Sequence, residues 1–131
     1  MKKKVSPEKR NELLLECRKI LTPHFITFDI PDVIGDSRAS DLHFTRAIIA
    51  YVLKQKGYSL AMIGAVLGGR DHATALNLLN YHKKRIGRDD RYARIIGKLS
   101  RELEADSNEA MIAYHEGELA RLRAIKPKKI A

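Results

Sequence analysis

Within five consecutive positions, Arg70, Asp71, His72 and Thr74 supply a guanidinium, a carboxylate, an imidazole and a hydroxyl. Such groups can donate to and accept from base edges and phosphate oxygens. They belong to the run Leu67-Gly68-Gly69-Arg70-Asp71-His72-Ala73-Thr74, which joins two short amphipathic segments. The glycines let the chain reverse, and the next helix then opens on polar residues. A helix-turn-helix presents its recognition helix in this order, with the polar N-terminus turned to DNA.

Other reactive chemistry is sparse. His24, His43, His72, His82 and His115 are scattered, without metal-ligand spacing or a cysteine pair. Cys17 falls on the apolar face of its helix and reads as a small core residue. A single cysteine makes no internal disulfide and suits a reducing cytoplasm. Gly64-Ala65-Val66-Leu67-Gly68-Gly69 is rich in glycine, but no Gly-Lys-Ser/Thr follows it. It therefore makes no phosphate-binding loop of the nucleotide-binding kind. The expectation is a protein that is no enzyme, with no catalytic residues, no metal, no cofactor and no nucleotide.

The elements that must hold the polar run are helical nearly throughout. Ser6-Pro7-Glu8 opens a first helix, in which Leu13, Leu14, Cys17, Ile20 and Leu21 recur at helical spacing until Thr22-Pro23. Residues 24–37 read as a connector, with Phe25-Ile26-Thr27-Phe28 as loop packed on the core. A second helix is expected from about Ser40 to Lys56, burying Leu42, Ala47, Ile48, Tyr51 and Val52 and stopping at Gly57. Ser59 caps a third, which turns Leu60, Ile63 and Val66 inward. The fourth runs from Asp71 to about Arg85, with Ala75, Leu76, Leu79 and Ile86 inward. Its other face carries His72, Thr74, Asn77, Asn80 and Lys84. Asp89-Asp90 starts a fifth helix with Tyr92, Ile95, Ile96, Leu99 and Leu103, and Asp106-Ser107-Asn108 starts another before Pro127 and a short basic tail.

The 131 residues suit one domain with a real core. No apolar run approaches ~20 residues, so no membrane span or membrane partner is expected. Met1-Lys2-Lys3-Lys4 is basic but lacks the apolar stretch of a signal peptide. The net charge of +9 favours a polyanionic partner, because Lys and Arg neutralising phosphates supply most non-specific nucleic-acid affinity.

Ser59-Leu60-Ala61-Met62-Ile63-Gly64, followed by the Gly68-Gly69-Arg70-Asp71-His72-Ala73-Thr74 run, resembles the C-terminal DNA-binding domain (domain IV) of the bacterial replication initiator DnaA. That family reads S-L-x-x-I-G and then F-G-G-R-D-H-[TS]-T. Upstream, Asp32-Val33-Ile34, Ser37-Arg38, Arg46 and Tyr51 resemble its D-L-L…S-x-R…P-R-Q-x-x-x-Y segment. The resemblance implies an all-α helix-turn-helix fold of the TrpR/DnaA domain IV type, with about six helices. It divides the chain into an N-terminal helix and connector (1–31), a DnaA-like domain (32–104), and an extra C-terminal helix with a basic tail (105–131). The family carries an ATPase module before this domain and nothing in these residues resembles one, so a free-standing domain without an ATP switch is expected.

Site residues follow from the same resemblance. Arg38 corresponds to a basic-loop arginine that enters an A·T-rich minor groove. Arg46 and Lys54 match phosphate-contacting positions, and both are expected on a helix face opposite its apolar stripe. Ser59 and Leu60 open a helix whose free N–H groups can hold a phosphate. Asp71 and His72 match base-reading positions, with Asp71 also standing where a helix cap belongs. Thr74 is expected to donate to phosphate, Arg70 to lie near the DNA backbone, and Asn77 to extend the polar stripe. Three departures stand out. Ala73 replaces Thr or Ser, Thr45 and Ala47 replace the proline and glutamine of P-R-Q, and Leu67 replaces Phe.

The function implied is sequence-specific binding of double-stranded DNA in the cytoplasm, at the nucleoid. It would regulate replication initiation or transcription, with the DnaA box and a phage or mobile-element origin as first targets. The alternative is a non-catalytic adaptor or homodimer that uses the helices as scaffold, with a partner surface over residues 107–124 on Met111, Ile112, Leu119 and Leu122.

Overall fold

A computed structural model describes residues 4–105. The chain divides into two compact units, residues 1–95 and residues 96–131. In the second, residues 96–105 are helical. The helix expected from Asp106 and the partner surface expected over 107–124 lie outside the described residues. In the first unit, every regular element among the described residues is helical.

Helix α1 spans Pro7–Leu21. The Ser6 hydroxyl accepts from the Lys9 N–H at 3.2 Å, and Pro7 enters at a position that needs no N–H donor. Leu13, Leu14, Cys17 and Leu21 form its buried face. Burial, then the Glu16 carboxylate, push the Cys17 thiol up to about 12, so it stays an uncharged core group. A 3-10 turn over Thr22–His24 ends at Phe25, whose φ of 62° is left-handed. Ile26 and Phe28 are buried as expected, but Phe25 is 95% exposed.

Within the expected connector the structure places a further helix, α2, over Ile30–Ile34. Five residues are too few to leave a helical period in the sequence. Pro31 in its first turn and Gly35 after its last residue are the marks it leaves. Val33 is its buried residue.

Helix α3, Ser40–Gln55, is the centre of the unit and packs against α1, α2 and the two helices that follow. Every residue from Thr45 to Leu53 is buried, so the helix has no solvent face over that stretch. The expected one-sided stripe of Leu42, Ala47, Ile48, Tyr51 and Val52 is therefore too narrow. Leu42 is only half-buried, while Ile49, Ala50 and Leu53 join the core.

Helix α4 covers Leu60–Val66 and α5 covers His72–Ile86. The inward face of α5 differs from the expected one. Ala75, Leu78 and His82 are buried, whereas Leu76 and Ile86 are 46% and 37% exposed. The reason is the histidine: a polar residue at the third core position hides the real stripe from a count of apolar spacing.

His82 is 4% exposed, stacks on Tyr51 with centroids 4.5 Å apart, and places Nδ1 2.6 Å from the Tyr92 hydroxyl. Burial, then the nearby Lys83 charge, lower its pKa from 6.5 to about 4. The unfolded chain thus binds the extra proton first as pH falls. This group's contribution is complete above pH 6.5 and is lost between there and about pH 4. We expect urea-unfolding free energies to fall by roughly 3 kcal/mol across that window. His82→Gln should remove that part of the slope. A variant retaining the full slope would overturn the assignment.

Residues 90–95 are helical, and Asp89 Oδ1 accepts from the Tyr92 N–H at 3.1 Å to cap them. No helix of the described residues is long and apolar enough to cross a membrane.

Candidate nucleic-acid interface

Helices α4 and α5 meet through a turn built by close backbone approach. The Ser59 hydroxyl accepts from the Met62 N–H at 3.2 Å to start α4, and the Leu67 N–H bonds to Ile63 O at 3.1 Å to close it. The Arg70 N–H then returns to Gly64 O at 2.8 Å. A β-carbon at Gly64 would sit against the Arg70 carbonyl and 2.7 Å from the Asp71 carbonyl. Gly68 has a φ of +92°, and a β-carbon there would run into the Ile34 carbonyl. The turn is glycine-rich because the chain passes over itself at both points.

The start of α5 is capped from within. Asp71 Oδ1 accepts from the Thr74 N–H at 2.9 Å and from the Thr74 hydroxyl at 3.0 Å. The cap role of Asp71 is thus present in the structure, and the Thr74 hydroxyl is directed to Asp71. His72 and Ala73 are exposed beside them.

Arg46 corrects the sequence expectation most sharply. It does not lie on a solvent face of α3; it is 4% exposed. Its Nε donates to Val33 O at 2.8 Å and its Nη1 to Ser37 O at 2.7 Å. Nη2 donates to Asp32 O and to Gly35 O, both at 3.0 Å. Four carbonyls left open by the short α2 and its following loop thus converge on one guanidinium, which explains an arginine in the core. Burial first, and then the neighbouring Arg70, lower its pKa from the usual arginine value, with Asp36 opposing.

Arg70 completes the arrangement. Its Nη1 donates to Leu67 O and its Nη2 to Gly35 O at 2.8 Å. Two guanidiniums, one from α3 and one from the turn, therefore share the Gly35 carbonyl. The loop carrying Arg38 is fixed to the helix-turn-helix through that atom.

An open cleft of about 880 Å³ lies over this junction. It brings together Arg38, Arg46, Arg70, Asp71, Thr74 and Asn77 from the expected set. His72, Ala73, Lys54, Ser59 and Leu60 do not line it. Of these Leu60 is half-buried and the others exposed. Asp36, Ser37 and His43 also line the cleft and were not anticipated. His43 lies one helical turn before Arg46 on α3, so the placement of that arginine carries the signal for it. Among the described residues no group of three or more His, Cys, Asp or Glu side chains could hold a metal ion.

Residues 24–81 match the family described as bacterial dnaA protein helix-turn-helix. The chain is similar to the chromosomal replication initiator protein DnaA of Gloeobacter violaceus, at 32% identity over 102 residues, covering 77% of this chain and 23% of that protein. It is also similar to the protein of that name from Lachnoclostridium phytofermentans, at 27% identity over 105 residues, covering 79% and 23%. The chain thus spans under a quarter of the length of these relatives. No solved structure matches it.

Proposed function

Residues 24–81 belong to the bacterial DnaA helix-turn-helix family, and from that premise we propose that the chain binds double-stranded DNA sequence-specifically. It would act at the nucleoid, in replication initiation or in transcription. The observation that carries this reading is the cleft in which exposed Arg38 meets the first two turns of α5.

In this reading α5 enters the major groove by its N-terminus, where exposed His72 donates to a base acceptor or packs on a thymine methyl. Asp71 reads an exocyclic amino group, and Asn77 follows along the groove. Arg38 reaches into the adjacent minor groove, where a guanidinium suits both the base acceptors and the potential. Lys54, exposed on α3, and the N-terminus of α4 at Ser59 and Leu60 meet phosphates. Thr74 turns its hydroxyl from Asp71 to phosphate on binding. Arg46 and Arg70 hold the two readers in register, a role different from the direct phosphate contact that the resemblance implies for Arg46.

Footprinting on genomic fragments tests the reading, with His72→Ala and Arg38→Ala beside the wild type. Each variant is expected to lose about 1–3 kcal/mol at the preferred site, roughly a five- to 150-fold loss of affinity, with little change on random duplex. A wild type without a preferred site, or two variants that match it, would sink sequence-specific recognition.

A further inference from the structure

A second open cleft, of about 570 Å³, lies at the other end of α5 and is lined by Tyr81, Lys84, Arg85, Arg88 and Arg91 with Asp89 and Asp90. Thr74, Asn77, Tyr81 and Lys84 recur at three- and four-residue spacing, so they run along one face of α5, and Arg88 follows just past its end. His43 of the first cleft touches Tyr81 of the second, with ring centroids 4.4 Å apart. The two clefts are therefore consecutive along one face.

The cations of the second cleft divide into two kinds. Arg85 is committed: it pairs with Asp89 at 3.1 Å, donates to the Tyr81 hydroxyl at 2.8 Å and lies over the Phe44 ring at 5.2 Å. Lys84, Arg88 and Arg91 make no side-chain hydrogen bond or ion pair among the described residues. Arg85 also engages one of the two carboxylates, leaving Asp90 against three uncommitted cations. Cations near a helix C-terminus are ordinary companions of its dipole. Three gathered around one cleft, two of them in line with the stripe of Thr74 and Asn77, are more than the dipole calls for.

We propose that Lys84, Arg88 and Arg91 form a phosphate-contacting patch that extends duplex contact beyond the cleft of Arg38 and Asp71. This rests on the duplex-binding reading above. From Asp71 to Lys84 the helix advances about 20 Å, at roughly 1.5 Å per residue. Phosphates along one strand recur about every 3.4 Å, so the two clefts meet different phosphates. The patch adds affinity without base information, because backbone contacts carry none.

The test measures duplex affinity against salt for the wild type and for K84A/R88A/R91A. A second triple, K4A/K9A/K19A, removes equal charge on and before α1, which packs on α3 and α4. Each lost phosphate contact flattens the log–log salt slope by about 0.9, so the patch variant should lose about 2.7 units of slope for its three contacts. The α1 triple should change far less, and the preferred site should stay the same for both. K84Q/R88Q, which keeps two long polar side chains, should lose about 1.8 and guards against misfolding of the triple. Equal slopes for wild type and both patch variants, or an equal loss in the α1 triple, overturn the patch alone. A wild type that binds no duplex overturns the patch and the duplex reading together.

Discussion

Alanine at Gly68 is expected to destabilise the chain by about 4 kcal/mol, whereas alanine at Gly69 next to it should cost only about 1 kcal/mol. Both glycines have positive φ, +92° and +75°, so the left-handed backbone penalty is common to the two. Alanine also restricts the unfolded chain at both sites, which offsets part of that penalty. The difference lies in space. A β-carbon at Gly68 meets the Ile34 carbonyl and lies 2.9 Å from the Arg70 Nη1, while one at Gly69 meets nothing within 4 Å. Gly64→Ala separates the two causes, because it has no positive φ but the same kind of backbone collision, and about 3 kcal/mol is expected there. In a domain of this size those losses correspond to Tm falls of roughly 10–25 °C at Gly64 and Gly68. Urea and thermal unfolding of the three variants decide the matter. Equal losses at Gly68 and Gly69 would mean that backbone conformation, not the approach of α2 to the turn, sets the requirement.

The second large effect is expected at Arg46. Arg46→Met keeps much of the side-chain volume but leaves the carbonyls of Asp32, Val33, Gly35 and Ser37 without its four donated bonds. Gly35 O keeps the bond from Arg70, so three carbonyls lose their guanidinium donor outright. At about 1 kcal/mol or more for each, a loss of about 3–4 kcal/mol is expected. Arg46→Lys should recover little, because one ammonium on a flexible stem cannot span a fork of four acceptors. Lys54→Ala, exposed two turns further along α3, should stay within about 0.5 kcal/mol of the wild type. If Arg46→Met unfolds at the wild-type urea concentration, the guanidinium does not hold the loop. In the duplex-binding reading, a variant that stays folded should lose affinity at the preferred site, since Ser37 O beside Arg38 would no longer be tied to α3.

Much of this architecture is legible in the residues themselves. Ser6, Ser59 and Asp71 each announce a helix start, and each side chain accepts the N–H three residues on. The glycine turn and the polar opening of α5 are read from types and spacing alone. What escapes has two physical origins. Arg46 and His82 are polar residues in the core, satisfied by backbone carbonyls and by Tyr92, and hydrophobic periodicity assigns such residues to solvent. Helix α2 is shorter than the period that would reveal it. The cleft escapes for both reasons, since its floor is made by a buried arginine reaching a helix that leaves no pattern.

The carbonyl of Gly35, accepting from Arg46 and from Arg70, also bears on kinetics. A minor-groove arginine carried on a disordered arm must lose its freedom at the moment of binding. Here Ser37 O and Gly35 O are tied to the folded core. In the duplex-binding reading the backbone of the Arg38 loop is thus ordered in advance, and only the exposed side chain remains to be fixed on binding. Association should then be governed by collision and charge, and nearly alike for good and poor sites. In the sequence-specific reading proposed above, discrimination would then fall to residence time: the preferred duplex would be the one that leaves slowly.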